Sequence, residues 1–63
     1  MFIKERRESS KMTQADLARA VGVKRSTVAM WESGAVYPRV EFLIKLSDLF
    51  GCTIDELVRG EKK

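Results

Sequence analysis

The stretch KRSTVAM, residues 24–30, gathers cationic and hydroxyl side chains at the predicted start of a short helix. Cations and hydroxyls can donate hydrogen bonds to phosphate oxygens and to the edges of bases. Of the three apolar side chains that follow, Ala29 and Met30 share a side of the predicted helix with Arg25, and groups of this kind fit beside a thymine methyl group. These types and spacings indicate binding chemistry. The polar members of the group are Lys24, Arg25, Ser26 and Thr27.

The composition excludes most kinds of catalytic and metal site. The chain has one cysteine, Cys52, and no histidine. It therefore has no internal disulfide, no Cys/His zinc site and no Ser–His or Cys–His catalytic pair. It also lacks a phosphate-binding loop motif and clustered carboxylates, so we expect no enzyme activity, no metal and no cofactor. We expect Cys52 to be a buried or half-buried apolar group.

Charge is distributed unevenly along the chain. Residues 1–39 carry eight Lys/Arg and four acids, whereas residues 40–63 carry four Lys/Arg and five acids. A polyanion would prefer the first part, although an uneven solvated surface would have the same composition. No apolar run approaches the roughly 18 residues that a membrane helix needs, and the first residues resemble no signal peptide. We therefore expect one cytoplasmic domain over residues 1–63, with no membrane partner.

Apolar periodicity and capping residues predict five helices and no strand, which is an all-α fold. Thr13 with Asp16 and Thr53 with Glu56 have the spacing of helix N-caps. Gly22 and two later glycines, Gly34 and Gly51, end helices. The predicted helices span residues 2–11, 14–21, 24–33 and 40–50, with a last one starting near residue 54.

The same periodicity predicts which side of each helix packs inward. On the third helix Val28 and Trp31 share the inner side, so we interpret Trp31 as a core residue and not as a wedge between bases. The opposite side is a stripe of about 140° that remains free. That stripe holds Arg25, Ser26, Ala29, Met30 and Ser33. The inward residues of the other helices are predicted to be Leu17, Ala18 and Val21; Val40, Leu43, Leu46 and Phe50; and Ile54, Leu57 and Val58.

The second and third helices are separated by a turn centred on one glycine, Gly22. Their apolar sides can meet only if the two helices cross steeply, and Ala18 permits that close approach. This geometry is a helix-turn-helix over residues 14–33, in which the second helix protrudes enough to enter the DNA major groove. That groove is about 12 Å wide and admits one helix.

Here the chain resembles the phage-repressor or Cro-type helix-turn-helix proteins, the XRE family. The resemblance is centred on TQADLARAVGVKRSTVAMWESG, residues 13–34, and extends from Ile3 to about Gly60. It implies a compact five-helix domain that binds double-stranded DNA and regulates transcription. The constrained positions of the family motif are filled by Ala18, Gly22, Leu17, Val23, Val28 and Trp31.

The resemblance also implies a role for individual residues. Residues that match base-contacting positions are Arg25, Ser26, Ala29 and Met30. Residues that match phosphate-contacting positions are Gln14, Lys24, Thr27 and Arg39. Arg7 and Glu32 resemble a family salt bridge between the first helix and the recognition helix. Plainer interpretations exist for each, such as a solubilising cation, a helix-start hydroxyl or a side chain that merely avoids a clash.

The chain departs from the family pattern at several positions. Lys24 stands where a Ser or Thr N-cap is usual, so the recognition helix is predicted to begin within a residue or two of it. Lys11 stands where a glycine often ends the first helix, and Arg39 replaces a small cap. Arg6 occupies a commonly apolar position, where its stem can pack while its charged end remains in water.

We therefore predict a sequence-specific transcriptional regulator, a repressor, that acts by occupying DNA at the nucleoid. A single module has a small interface, so we expect a homodimer on a near-palindromic operator. The family precedent suggests dimer contacts by Phe42, Ile44, Leu49, Leu57 or Val58. The alternative is an antitoxin-like or adaptor module that uses the same fold to bind a protein, although no residue specifically indicates a protein partner.

Overall fold

Five helices follow one another through short turns in a computed structural model that describes residues 1–60, and no strand occurs in that range. This confirms the predicted all-α fold. No helix in the described residues is long and apolar enough to span a bilayer. Residues 61–63, the end of the predicted domain, lie outside the described residues. The helices are α1 (Ile3–Ser9), α2 (Gln14–Val21), α3 (Arg25–Ser33), α4 (Val40–Phe50) and α5 (Ile54–Arg59).

Both predicted N-caps are present, and each forms a capping box. The Thr13 hydroxyl accepts a hydrogen bond from the Asp16 N–H at 3.0 Å, and the Asp16 carboxylate accepts one from the Thr13 N–H at 2.9 Å. Thr53 and Glu56 make the same reciprocal pair at the start of α5. The hydrogen bonds from the Thr13 backbone and side chain lower the pKa of Asp16. The start of α2 is therefore fixed by local hydrogen bonds and by a negative charge at the positive end of the helix.

One cluster of apolar side chains forms the core between the helices. Trp31 is almost fully buried, and its ring lies 5.6 Å from that of Phe42, tilted by 46°. Trp31 is thus a core residue, as predicted. Cys52 is half-buried against the cluster. The buried members of the cluster are Ile3, Leu17, Ala18, Val21, Val28, Trp31, Leu46 and Leu57.

The predicted inner side of α4 was wrong at its first residue. Val40 is 67% exposed, because it lies in the first turn of the helix, beyond the edge of the core. Ser47 is buried instead, one turn after Leu43, and its hydroxyl donates to the carbonyl of Ile44 at 2.9 Å. The inner stripe of α4 is therefore Leu43, Leu46, Ser47 and Phe50, of which Leu43 and Phe50 are half-buried.

The predictions for α5 need two corrections. This helix has only six residues, so a single side chain, Leu57, reaches the core, whereas Ile54 and Val58 are exposed. Leu57 is fully buried, so its side chain cannot contact a partner. The prediction of Leu57 in a dimer interface was therefore wrong. Val58 remains available at the surface.

The first helix ends earlier than predicted, at Ser9, through a turn that bends at Lys11. The Lys11 N–H donates to the carbonyl of Glu8 at 3.0 Å, and the Met12 N–H donates to that of Arg7 at 3.1 Å. Lys11 itself has φ +59°, in the left-handed region that disfavours side chains with a Cβ. The lysine thus occupies, at an energetic cost, a position that suits glycine.

Replacing this lysine by glycine should stabilise the domain. The left-handed conformation costs a non-glycine residue roughly 1–2 kcal/mol, while glycine loses about 0.5–1 kcal/mol through its freer unfolded chain. We expect Lys11→Gly to raise the free energy of unfolding by about 0.5–1 kcal/mol in urea titration. Ser10→Gly is the control, because Ser10 has φ −89° and should gain nothing. Equal effects of the two substitutions would contradict the assignment of strain to Lys11.

Candidate nucleic-acid interface

The turn between α2 and α3 is built on one glycine and one carbonyl. Gly22 has φ +82°, a left-handed conformation that glycine adopts without steric cost. Its N–H and that of Val23 both donate to the carbonyl of Ala18, at 2.8 and 2.9 Å. Val23 is half-buried against the core. The turn therefore brings α3 back across α2 with the apolar sides of the two helices in contact.

The two sides of α3 differ as predicted. Val28 and Trp31 are buried, whereas the opposite side faces solvent. Arg25 is the first residue of the helix and lies on this solvent-facing side. The preceding residue, Lys24, makes no side-chain capping bond. The helix thus begins within a residue of the predicted start. The solvent side consists of Arg25, Ser26, Met30 and Ser33, which are exposed, and Ala29, which is half-buried.

The four residues expected at phosphates all lie near helix starts. Gln14 is the first residue of α2, Lys24 precedes α3, and Thr27 is in the first turn of α3. Arg39 precedes α4 and is exposed. Within residues 1–60, Arg39 makes no hydrogen bond or ion pair with the other three. Gln14, Lys24 and Thr27 thus lie within the helix-turn-helix, whereas Arg39 lies at the end of the loop that follows α3.

Arg7 and Glu32 join α1 to α3 through a buried ion pair. The Nε atom of Arg7 donates to Oε2 of Glu32 at 2.7 Å, and its Nη1 donates to the Met12 carbonyl at 2.8 Å. The side chains are only 11% and 6% exposed. The hydrogen bond to Glu32 raises the pKa of Arg7 above its ordinary value, so the guanidinium stays charged. A buried pair of this kind fixes the position of two helices relative to each other.

Two further contacts extend this ion pair to the surface, and the sequence analysis missed both. The Nε2 atom of Gln14 donates to Oε1 of Glu32 at 2.9 Å. Nη1 of Arg25 donates to Oε1 of Gln14 at 3.2 Å. One signal was available in the sequence: Glu32 lies four residues after the inward Val28, which puts a carboxylate at the edge of the core. Its contact with Gln14 depends on how α2 and α3 cross.

The comparison with known sequences assigns the fold to a family. A sequence model of the helix-turn-helix family matches residues 3–57, most of the chain. The chain belongs to the XRE-type helix-turn-helix family. The matched range includes all of α1 to α4 and the buried Leu57 of α5, so it covers every buried residue of the core of this XRE-type domain as well as the helix-turn-helix. No solved structure matches the chain significantly.

Curated relatives of the XRE-type domain include both activators and repressors. The HTH-type transcriptional activator BcrR of Enterococcus faecalis is 40% identical over 60 residues, which are 95% of this chain and 29% of the relative. Repressor protein C2 of Salmonella phage P22 is 36% identical over 59 residues, 94% of this chain and 27% of the relative. An uncharacterized HTH-type transcriptional regulator of Archaeoglobus fulgidus is 36% identical over 55 residues, 87% and 78% of the two chains. The chain thus spans less than a third of the first two relatives.

Removing Arg7 should destabilise the domain far more than removing an arginine from a surface pair. Arg7→Met leaves the Glu32 carboxylate buried without its guanidinium and the Met12 carbonyl without its donor, at a cost of about 3 kcal/mol. Arg59→Met is the control, because Arg59 pairs with Asp55 at 3.2 Å on the exposed side of α5. We expect that change to cost at most about 0.5 kcal/mol. Similar urea midpoints for the two variants would contradict the structural role of the buried pair.

Proposed function

We propose that the XRE-type domain is a sequence-specific, double-stranded DNA-binding transcriptional regulator, a repressor, that inserts α3 into the major groove. The observation that carries the proposal is the solvent side of α3, where a cation, hydroxyls and small apolar groups stand opposite the buried Val28 and Trp31. A helix that is anchored on one side and free on the other can enter the groove without unfolding any of the core. With DNA as its partner, the protein would act at the nucleoid, in the cytoplasm.

The solvent side of α3 would select the sequence. Arg25 lies at the helix start, where its guanidinium can donate two hydrogen bonds to guanine O6 and N7. Ser26 can donate to a base or to a phosphate, and Ala29 and Met30 can contact a thymine methyl group. Family membership supports these roles, because the four residues lie in the matched range, and the resemblance implies that their motif positions face bases.

A second set of side chains would set the register of the domain on the DNA. Gln14, Lys24 and Thr27 lie near the starts of the two motif helices, and Arg39 lies before α4. Contacts from such positions to phosphates orient a protein without reading sequence. They would also make binding depend steeply on salt, because each neutralised phosphate releases condensed counterions.

A homodimer would supply affinity that one small module lacks. The exposed apolar side chains favour a contact through α4 and α5: Val40 and Ile44 lie one turn apart on α4, and Leu49 and Val58 are also exposed. Phe42 was also expected in this contact. Its ring, however, packs against Trp31 and against Lys45, whose Nζ lies 5.6 Å from the ring centre. Two copies would present their α3 helices about 34 Å apart to the two halves of a near-palindromic operator.

Selection from random duplex DNA tests this function. The purified protein should enrich an inverted repeat with half-sites about one helical turn apart, and the affinity for it should fall steeply with salt. Sedimentation of the protein with that duplex should give two copies per site. Failure to enrich any sequence, with weak and salt-sensitive binding only, would contradict the proposal and favour a module that binds another protein.

Within the enriched operator, Arg25 and Arg39 should behave differently. Arg25→Ala should remove about 1–3 kcal/mol of specific affinity and relax the preference at one base pair. Arg39→Ala should weaken binding to all sequences alike and reduce the salt slope by about one. Titrations of the intact operator and of single base-pair variants at several salt concentrations separate the two effects. An Arg25→Ala variant that retains every base preference would contradict base contact by Arg25.

A further inference from the structure

Four side chains form a continuous hydrogen-bonded chain from the interior to the start of α3. Arg7 donates to Glu32, Gln14 donates to the same carboxylate, and Arg25 donates to the amide oxygen of Gln14. Burial decreases along this chain: the Glu32 side chain is 6% exposed, Gln14 is half-buried and Arg25 is exposed. Three helices, α1, α2 and α3, contribute to it. A buried charge is thereby connected to the residue expected to read a base.

The carboxylate of Glu32 determines which way the Gln14 amide points. An ionised carboxylate only accepts hydrogen bonds, so the amide must present its NH₂ group to Oε1 of Glu32. The reversed amide would oppose two acceptors in a site where little water is available to separate them. The amide oxygen of Gln14 is therefore directed outward, where it accepts from Nη1 of Arg25.

The outward oxygen in turn restricts Arg25. An exposed arginine has many rotamers, and a single acceptor beside it favours those that bring the guanidinium over the start of α2. If the amide of Gln14 were reversed, its NH₂ group would face the guanidinium, and two donors would oppose each other. The orientation of one buried carboxylate therefore biases the position of an exposed guanidinium.

We infer that Glu32 is a positioning residue for sequence recognition: acting through Gln14, it orients the Arg25 guanidinium before DNA binds. This inference rests on the proposed function and adds a specificity-determining residue that does not itself reach DNA. Arg7 contributes by holding the Glu32 carboxylate in place through the 2.7 Å hydrogen bond from its Nε atom. Pre-orientation of this kind lowers the conformational entropy that Arg25 loses when it contacts a base. Only the duplex with the matching base pair allows that contact, so pre-orientation favours binding to that duplex over the other.

The test measures discrimination, which is the Kd for an operator with the Arg25 base pair changed divided by the Kd for the intact operator. Glu32→Gln keeps an oxygen acceptor for Nε of Arg7 only when its NH₂ group faces Gln14, and the Gln14 NH₂ group then loses the acceptor that holds it inward. Discrimination should fall about threefold, within the range for coupled neighbours. In an Arg25→Ala background, Glu32→Gln should have no further effect on it.

Glu8→Gln is the matched control. It also removes a carboxylate charge beside Arg7, at 4.0 Å, but Glu8 is exposed and makes no hydrogen bond to Gln14 in the described part of the chain. It should leave discrimination unchanged. A purely structural role of Glu32 would lower the affinity for both duplexes by the same factor through the folded fraction. Unchanged discrimination in a folded Glu32→Gln variant would therefore overturn the inference.

A second variant covers the case in which Glu32→Gln fails to fold. Gln14→Met keeps the Arg7–Glu32 pair but breaks the link to Arg25. It should weaken binding to both duplexes, because a phosphate contact is lost, and should in addition reduce discrimination about threefold. Equal weakening with no change in discrimination would overturn the inference.

A measurement without DNA separates this inference from the proposed function. If Arg25→Ala leaves every base preference intact, base reading by Arg25 fails, but positioning is still measurable by ¹⁵N relaxation of the Arg25 Nε–H group in the free protein. Greater motion of this group in Glu32→Gln than in Glu8→Gln would support positioning by Glu32. Equal motion in the two variants would overturn it.

Discussion

The ion pair between Arg7 and Glu32 connects the parts of the domain on which the proposed interface depends. Its Nε–Oε2 distance is 2.7 Å, and both partners are largely withdrawn from water. Such a pair is costly to leave half-made, because either charge alone would remain buried without a counterion. The energy of folding therefore depends on α1 and α3 meeting in one arrangement.

The same carboxylate connects the buried ion pair to the residue proposed to read a base. Glu32 accepts from Arg7 on one side and from Gln14 on the other, so the group that fixes the helices also fixes an amide at the surface. A rigid support beneath a reading residue reduces the ordering that binding would otherwise require. Small domains have few buried groups, and in this one a single carboxylate would serve both purposes.

Local chemistry made much of the fold predictable. The threonine caps, Thr13 and Thr53, and the glycine at residue 22 act within a few residues of sequence, and the starts of α2 and α5 and the turn after α2 follow from them. Predictions that required knowledge of the core's extent were less successful. Periodicity cannot show where the core ends. Val40 was therefore expected inside but is exposed, whereas Ser47 is buried because it lies on the same side of α4 as Leu43, one turn after it.

The candidate site, like the fold, was predictable in part from the sequence. The free side of α3 follows from the positions of Val28 and Trp31, and the Arg7–Glu32 pair follows from the family resemblance. The contacts of Gln14 do not, since they join residues 14 and 32 and residues 14 and 25 across a helix crossing whose angle the sequence leaves undetermined. Long-range polar contacts of this kind emerge only when the helices are in place.

The most direct test of the central claim, that α3 is the DNA-binding surface, is NMR titration of the ¹⁵N-labelled protein with its enriched operator. We predict that the largest shift changes occur at the start of α2 and along residues 24–30, with smaller ones near Arg39. Shift changes confined to α4 and α5, with the Arg25 and Ser26 amides unmoved at saturation, would contradict the claim.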